Sequence, residues 1–113
     1  MAGLKIPTAT YRIQFSLAFR FVDARELIPY LHDLGISDLY LSPVLAASPG
    51  STHGYDVVDH GRIDPQLGGA EGFLRLAEAC RRRGMGILLD FVPNHMGIAA
   101  LNAWWMDVLE NGP

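Results

Sequence analysis

The chain has 113 residues, of which half are hydrophobic and 19% are charged, and its formal net charge is -3 at pH 7. This composition excludes an intrinsically disordered chain, provides no basic field for nucleic acid, and leaves no apolar run near the roughly 20 residues of a membrane span. Because Cys80 is the single cysteine, no intrachain disulfide can form, and we expect a cytoplasmic globular protein in which Cys80 packs as a small hydrophobic residue.

The first predicted element is a strand over residues 8–15, in which the character of the side chains alternates. Tyr11, Ile13 and Phe15 share one face of this strand, as expected when one face of a sheet is buried. The turn that follows, residues 15–19, contains no glycine cluster. It therefore lacks the fingerprint of a dinucleotide-binding loop.

The next predicted element is a helix that ends at Gly35. Asp23 and Glu26 have the spacing of a capping box and predict where the helix begins. Pro29 lies beyond the first turn, where a proline bends a helix, and we expect a kink there. The apolar residues at helical spacing are Ala24, Leu27, Ile28, Leu31 and Leu34.

A second strand is predicted over residues 36–42 and a third over residues 85–92. The third is a nearly continuous apolar run, which is typical of a parallel strand covered on both faces. Between them a helix is predicted over residues 69–83, and the three arginines at its end suit the negative pole of the helix dipole. Its predicted buried face comprises Phe73, Leu76, Ala77 and Cys80.

The connection over residues 43–68 shows no sustained periodicity and predicts a long loop. Loops much longer than about 15 residues are uncommon unless they are functional or disordered. Within this one, residues 51–60 concentrate aromatic, histidine and carboxylate side chains, a composition that does not suit a flexible linker. We therefore expect the loop to carry function.

The alternation of strands and helices predicts right-handed crossovers and a parallel α/β sheet. Two architectures begin in this way, the open doubly wound sheet and the eight-stranded β/α barrel. The missing glycine fingerprint favours the barrel, which needs roughly 250 residues. We therefore expect the first three strands and two helices of a (β/α)8 TIM barrel that is incomplete in this chain.

In a β/α barrel, the loops that follow the carboxyl ends of the strands build the active site. Tyr55, in the second of these loops, offers a flat face on which a pyranose ring can stack. His53, Asp56 and His95 offer polar or charged partners for hydroxyl groups, and such hydrogen bonds are strong and directional. The set of side chains suits a sugar.

Two other interpretations of this loop remain open. His53, Asp56, Asp59 and His60 have the right types for a metal site, although their spacing matches no familiar zinc pattern. Asp56 and Asp59 could instead be the carboxylate pair of a glycosidase. We expect Asp59 and Asp64 to be structural hydrogen-bond acceptors.

Asp90 lies near the end of the third predicted strand, and we expect a supporting role for it, held by a neighbouring loop or by an arginine. Asn94 and His95 follow it at the same mouth of the predicted barrel. Trp104 and Trp105, further along the chain, are candidates either for stacking on a sugar or for packing in a core.

Two motifs carry a family resemblance. Residues 90–95, Asp-Phe-Val-Pro-Asn-His, resemble the first signature region of the α-amylase superfamily of glycoside hydrolases. Residues 53–56, His-Gly-Tyr-Asp, resemble the motif in the second loop of that superfamily. The resemblance implies a β/α barrel that acts on α-glucans.

The resemblance also implies roles for individual residues. Tyr55 would stack on the glucose that precedes the cleaved bond, while Asp56 and His95 would hydrogen-bond the hydroxyls of the same sugar. His53 would support the loop. Asn94 matches a position that binds calcium in many amylases, but neither a metal nor a cofactor is expected here.

A narrower resemblance is to the maltooligosyl trehalose synthase family. These isomerases move the reducing-end glucose of an α-1,4-glucan to an α,α-1,1 linkage, which implies a maltooligosaccharide substrate and neither nucleic acid nor a membrane as partner. It also implies that residues 1–95 belong to the catalytic barrel and that residues 96–113 begin an insertion after the third strand. The segments that carry this resemblance are 11–15, 39–43, 49–59 and 104–113.

The superfamily resemblance implies that no catalytic residue lies within these 113 residues. The nucleophilic Asp, the acid/base Glu and the third Asp of the superfamily follow its fourth, fifth and seventh strands, so all three would lie beyond Pro113. A retaining mechanism needs a nucleophile and a proton donor about 5 Å apart. We therefore expect the chain alone to be inactive and to be the N-terminal part of a longer enzyme.

Two alternatives to this assignment stay open. One is an α-glucan hydrolase or debranching enzyme of the same superfamily, which the signature after the third strand also permits. The other is a non-catalytic remnant or glucan-binding fragment, for which three parallel strands would leave two open sheet edges.

Overall fold

The computed structural model describes residues 7–48, 51 and 53–90. Within these ranges, neither helix is long and apolar enough to cross a membrane. The elements in chain order are strand β1 (Thr10–Ile13), helix α1 (Phe21–Asp33), strands β2 (Asp38–Leu41), β3 (Leu45–Ala47) and β4 (Val57–Ile63), a 3-10 helix (Pro65–Leu67), helix α2 (Gly69–Arg82) and strand β5 (Gly86–Leu89).

Three strands form a parallel sheet in the order β1, β2, β5. The predicted succession of strand, helix, strand, helix, strand is therefore confirmed, and both helices act as crossovers between neighbouring parallel strands. The register places Arg12 of β1 beside Tyr40 of β2, and Tyr40 beside Leu88 of β5. Because side chains alternate between the faces of a strand, these three form one row across one face of the sheet.

The core lies between the opposite face of the sheet and the two helices, which contact each other. Phe21, the first residue of α1, is fully buried, and its ring meets Phe15 edge-on with 4.9 Å between centroids. The same ring meets Phe73 of α2 at 5.6 Å. Burying a phenylalanine side chain contributes roughly 1.5–3 kcal/mol, so Phe21 fastens both helices to the end of β1. Cys80 is buried in this core, as predicted.

Helix α1 begins earlier than the capping-box prediction placed it. Asp23 is not the residue that precedes the helix but the third residue within it, where its carboxylate accepts a hydrogen bond from the Arg20 amide at 2.8 Å. The helix continues through Pro29, which lies on its exposed side. The helix ends at Asp33, one residue before Leu34, which is exposed although it continues the apolar spacing.

The prediction of an irregular loop over residues 43–68 is wrong. Strands β3 and β4 form an antiparallel pair with shifts in register, and a 3-10 helix follows them. Strand β3 has only three residues, and β4 buries the consecutive residues Val57 and Val58, so neither strand shows the alternation that identifies a strand from sequence. Asp64 accepts a hydrogen bond from the Gln66 amide at 2.9 Å and begins the 3-10 helix, the structural role expected of it.

Strand β5 is not covered on both faces by the described residues, which end at Asp90, so the cover expected from its apolar run stays a prediction. Leu88 and Leu89 are exposed to 41% and 49%. The physical reason is that β5 is the outermost strand of the described sheet, with a partner on the β2 side only. Tyr11, predicted to share one face with Ile13 and Phe15, is exposed although both of those residues are buried.

Candidate functional site

The candidate site lies where the parallel strands reach their carboxyl ends. Arg12 is the penultimate residue of β1, and Asp90 directly follows β5. Tyr55 reaches them from the connection between β3 and β4. Polar side chains from three distant parts of the sequence therefore converge on one edge of the sheet, which is where parallel α/β proteins build their sites.

Arg12, Tyr55 and Asp90 form a closed set of hydrogen bonds, called the Arg12 cluster below. The Nη2 group of Arg12 donates to the Tyr55 hydroxyl at 2.8 Å, and its Nη1 group donates to Oδ2 of Asp90 at 3.2 Å. The Tyr55 hydroxyl in turn donates to the same Asp90 oxygen. Each side chain is thus held by the other two.

The electrostatics of the cluster keep the tyrosine neutral and the arginine charged. The hydrogen bond to Asp90, helped by burial, raises the pKa of Tyr55 above its ordinary value, although Arg12 acts in the opposite direction. Burial lowers the pKa of Arg12, but the bonds to Tyr55 and Asp90 outweigh it and raise that pKa overall. Tyr55 therefore remains a hydrogen-bond donor throughout the physiological range.

Two further residues on the sheet support the cluster. The Arg12 guanidinium lies 4.8 Å from the centre of the Tyr40 ring, within the range of a cation–π contact. Gln14 accepts a hydrogen bond from Arg12 at 3.3 Å and donates one to the carbonyl oxygen of His53 at 3.1 Å. The end of β1 thus contacts the loop that carries Tyr55 at two points.

The loop around Tyr55 is ordered by its own hydrogen bonds. Ser51 donates to the carboxylate of Asp56 at 2.6 Å and accepts from the Gly54 amide at 2.9 Å. Nδ1 of His53 accepts from the Tyr55 amide at 3.0 Å, and the two rings stack with 5.9 Å between centroids. The same nitrogen lies 3.9 Å from a carboxylate oxygen of Asp56.

Gly54 fixes how closely the loop approaches the sheet. Its φ angle is +80°, a conformation that glycine adopts readily and other residues rarely. A Cβ atom at this position would lie 3.1 Å from the carbonyl oxygen of Pro43, just after β2. Glycine therefore allows the backbone before Tyr55 to rest against the end of the strand.

A small apolar cavity of about 100 Å³ lies between the hairpin and the sheet. Binding pockets for drug-sized ligands measure about 300–1,000 Å³, so the described residues alone do not enclose a pocket of that size. The residues that line it are Pro43, Val44, Leu45, Tyr55, Val57, Leu89 and Asp90.

The structure brings together four of the predicted site residues, namely His53, Tyr55, Asp56 and Asp90. The described residues end at Asp90, so the other predicted residues lie outside them. These are Asn94 and His95, the candidate stacking residues Trp104 and Trp105, and the segment up to Pro113 that was predicted to begin an insertion. The expectation that the catalytic carboxylates lie beyond Pro113 is likewise not tested by the described part of the chain and stays a prediction.

The alternative interpretations of the loop find no support in its geometry. Asp59 accepts a hydrogen bond from the Gly61 amide at 2.8 Å, as expected of a structural residue. In the part of the chain that the structure describes, no three His, Cys, Asp or Glu side chains are grouped so that they could hold a metal ion.

The sequence analysis missed Arg12 and Gln14 as site residues. They occupy alternate positions at the end of β1, and both are exposed, whereas Ile13 and Phe15 between and after them are buried. Polar residues at this spacing near the end of a predicted parallel strand are a usable signal, because that end of the sheet carries the site.

A parallel sheet with crossover helices and a polar cluster at its carboxyl edge is common to β/α barrels and open doubly wound sheets. The chain belongs to the α-amylase catalytic-domain family, because the model of that family matches residues 24–112. The family implies a fold of the TIM-barrel type, of which the described residues show a mixed α/β part.

Maltooligosyl trehalose synthases and a maltogenic amylase are among the similar proteins. A Mycobacterium tuberculosis (strain CDC 1551 / Oshkosh) protein, provisionally named maltooligosyl trehalose synthase, is 51% identical over 111 residues, 92% of this chain and 14% of that protein. The solved maltooligosyltrehalose synthase of Arthrobacter ramosus is 53% identical, with a TM-score of 0.91 over 94% of this chain and 14% of that one. The intracellular maltogenic amylase of Bacillus subtilis (strain 168) is 44% identical over 87 residues, 77% of this chain and 14% of that protein.

Both resemblances inferred from the sequence motifs are confirmed by these similarities. The chain spans about 14% of the length of the relatives that it matches.

Proposed function

We propose that the chain is the N-terminal part of a trehalose-forming isomerase that acts on maltooligosaccharides. The complete protein, meaning the product of the whole reading frame that contains these residues, would convert the reducing-end α-1,4 linkage into an α,α-1,1 linkage by intramolecular transfer. The observation that carries the proposal is the 53% identity and TM-score of 0.91 to the Arthrobacter ramosus synthase over nearly the whole chain.

In this proposal, β1, β2 and β5 are the first three strands of an eight-stranded barrel. Residues 1–95 contribute to the catalytic barrel, and residues 96–113 begin an insertion after the third strand. The two outermost strands and the exposed Leu88 and Leu89 support this arrangement, because they present surface that a further strand and helix would cover. The lone buried cysteine supports a cytoplasmic setting.

The Tyr55 loop would form part of the sugar site. The Tyr55 ring would stack on a glucose unit, with Asp56 and His95 as partners for its hydroxyls and His53 as a support for the loop. Asp90 and Asn94 would play supporting roles. The hydrogen bonds that join the Tyr55 hydroxyl to Arg12 and Asp90 support this assignment, because they hold the ring at its polar end, and the sugar would use the face that does not stack on His53.

The catalytic carboxylates would come from later strands of the complete protein, beyond Pro113. After the α-1,4 bond is cleaved, the glucan remainder held on the nucleophile would be transferred to the anomeric hydroxyl of the released glucose, which forms the α,α-1,1 bond and frees the nucleophile. This transfer requires that water be excluded from the closed site. This chain would therefore contribute binding and positioning, and we expect no turnover from residues 1–113 alone.

Product analysis of the complete protein tests the proposal. With maltopentaose as substrate, isomerisation removes the reducing end without changing the molecular mass, so the reducing-sugar signal falls while mass spectrometry shows an unchanged mass. Hydrolysis raises the reducing-sugar signal and yields shorter chains. A rise in reducing sugar with no trehalosyl product would overturn the proposal.

A hydrolase of the same family is the second candidate. Its support is the 44% identity to the Bacillus subtilis maltogenic amylase, although that match covers 77% of this chain against 92% for the match to the Mycobacterium tuberculosis protein. The same product analysis separates the two candidates.

A further inference from the structure

The Arg12 side chain is held on several sides in the candidate site. Its Nη1 group bonds Asp90, and its Nη2 group bonds both the Tyr55 hydroxyl and Gln14. The guanidinium also lies over the Tyr40 ring. Both Nη groups of the planar guanidinium therefore make hydrogen bonds, and its face makes a cation–π contact.

The Tyr55 ring depends on these contacts for its position. Tyr55 is one of the residues that line the apolar cavity, so packing around it is incomplete. The ring contact that the structure shows is with His53, whose own side chain is more than half exposed. Among the described residues, the hydrogen bonds at the hydroxyl end are thus the contacts that most restrict the ring.

We propose that Arg12 is a positioning residue of the sugar site. By bonding the Tyr55 hydroxyl and the Asp90 carboxylate at once, it fixes the angle at which the Tyr55 ring meets a pyranose. The proposal rests on the proposed function, since it assigns Arg12 a role in that same site. Gln14 extends the role, because it joins Arg12 to the backbone of the loop at His53.

Lysine could not replace arginine in this role. A lysine ammonium is a compact point charge on a flexible stem, whereas the two Nη groups of Arg12 meet separate acceptors in fixed directions. Replacing Arg12 by lysine keeps the positive charge beside Asp90 and removes the geometry. The substitution Arg12→Lys therefore separates positioning from charge.

The experiment measures KM and kcat for maltopentaose consumption in the complete protein, whatever the product. We expect Arg12→Lys to raise KM about 10-fold while kcat changes less than about 3-fold, because a misplaced binding surface weakens substrate capture. A purely structural role would instead lower the fraction of active protein, which reduces kcat and leaves KM unchanged. The matched control is Arg75→Lys, an exposed arginine on α2 that pairs with Glu71 at 2.6 Å; we expect both constants to be unchanged.

A double-mutant cycle with Tyr55→Phe tests whether Arg12 acts through the tyrosine hydroxyl. In the Tyr55→Phe background we expect Arg12→Lys to raise KM by less than about 3-fold, because the bond it would disturb is already absent. An equal rise in both backgrounds would overturn the proposal, as would a folded Arg12→Lys protein with the KM of the wild type.

If Arg12→Lys does not yield folded protein, Gln14→Ala replaces it. This exposed side chain joins Arg12 to the loop, and we expect a rise in KM of about 3-fold with kcat unchanged; an unchanged KM would overturn the proposal. If the wild-type protein did not consume maltopentaose, both the proposed function and this inference would be wrong. A product other than the trehalosyl isomer removes the isomerase assignment alone, because the KM comparison does not depend on the product.

Discussion

The Tyr55 hydroxyl donates a hydrogen bond to the carboxylate of Asp90, a residue 35 positions further along the chain. Tyr55 belongs to the connection between β3 and β4, whereas Asp90 directly follows the parallel strand β5. The bond therefore joins the antiparallel hairpin to the parallel sheet. Arg12 of β1 donates hydrogen bonds to both of these residues. A substitution at any of these three residues should alter both the position of the Tyr55 loop and the affinity for the sugar.

Asp90→Asn should destabilise the junction between hairpin and sheet. The substitution keeps the shape of the side chain but removes its charge, so the hydrogen bonds from Arg12 and Tyr55 lose their charge-assisted character. We expect a loss of about 1 kcal/mol in the free energy of unfolding, since Arg12 is 37% exposed and its ion pair is partly screened. Thermal unfolding of the complete protein measures it.

Asp33→Asn is the matched control for that substitution. Asp33 lies at the end of α1 with its side chain 84% exposed, and we expect no change in melting temperature. An equal shift for both variants would contradict the role of the Arg12 cluster.

Tyr55 variants should separate the ring from its hydroxyl. Tyr55→Ala removes the stacking surface together with the hydroxyl bonds. We expect kcat/KM for maltopentaose to fall about 100-fold, because loss of aromatic stacking, roughly 1–3 kcal/mol for nucleic-acid bases, adds to the about 10-fold effect of losing the hydroxyl bonds. Tyr55→Phe keeps the ring and loses the bonds to Arg12 and Asp90, so its effect should be smaller. Steady-state kinetics of the two variants side by side would contradict the account if Phe were as damaging as Ala.

The stability of the protein should depend on the ionisation of Tyr55 at high pH. The bond to Asp90 raises the pKa of Tyr55 above its ordinary value of 10.0, so the folded state favours the protonated phenol. The protonated Tyr55 phenol therefore makes its full contribution to stability at neutral pH. That contribution is lost as the pH rises from about 10 through the raised pKa of Tyr55 in the folded state.

The measurement is the free energy of unfolding between about pH 9 and pH 11 for the wild type and for Tyr55→Phe. The wild type should lose its advantage over the variant across this window. Parallel curves would show that the hydroxyl is not held as the structure describes.

Gly54→Ala should disturb the loop more than an alanine at another glycine of similar backbone conformation. At Gly54 the positive φ costs about 1–2 kcal/mol for any other residue, and the added Cβ would press on the Pro43 carbonyl at 3.1 Å. Gly84 has a φ of +68° with nothing within 4 Å of such a Cβ, which makes Gly84→Ala the matched control.

We expect the two alanine variants to share the backbone cost and only Gly54→Ala to raise the KM for maltopentaose. Kinetics and thermal unfolding of both proteins check this. Equal KM values would show that the approach of Gly54 to Pro43 does not position Tyr55.

Local patterns in the sequence predicted the elements that pack on the main core. The helical spacing of Ala24, Ile28 and Leu31, and of Leu76 and Cys80, indicated two helices whose buried faces the structure confirms. The strands of the parallel sheet followed from alternation and apolar runs in the same way. Such patterns are visible because one buried face imposes a period on the sequence.

The hairpin and the Arg12 cluster could not be predicted in this way. Strand β3 is too short to show a period, and its register with β4 is broken by irregularities that no local pattern encodes. Arg12 and Asp90 are 78 residues apart, and only the parallel order of β1, β2 and β5 brings them together. Asp90 could be expected to have a partner, but the sequence did not identify which arginine.

A crystal structure of the complete protein with a maltooligosaccharide bound, in a variant that lacks its catalytic nucleophile, would test whether Tyr55 belongs to the sugar site. We expect a pyranose ring stacked on the face of Tyr55, with the Tyr55 hydroxyl still bonded to Arg12 and Asp90 and with Asp56 in contact with a sugar hydroxyl. A glucan bound elsewhere, with Tyr55 and Asp56 touching no sugar, would contradict this expectation.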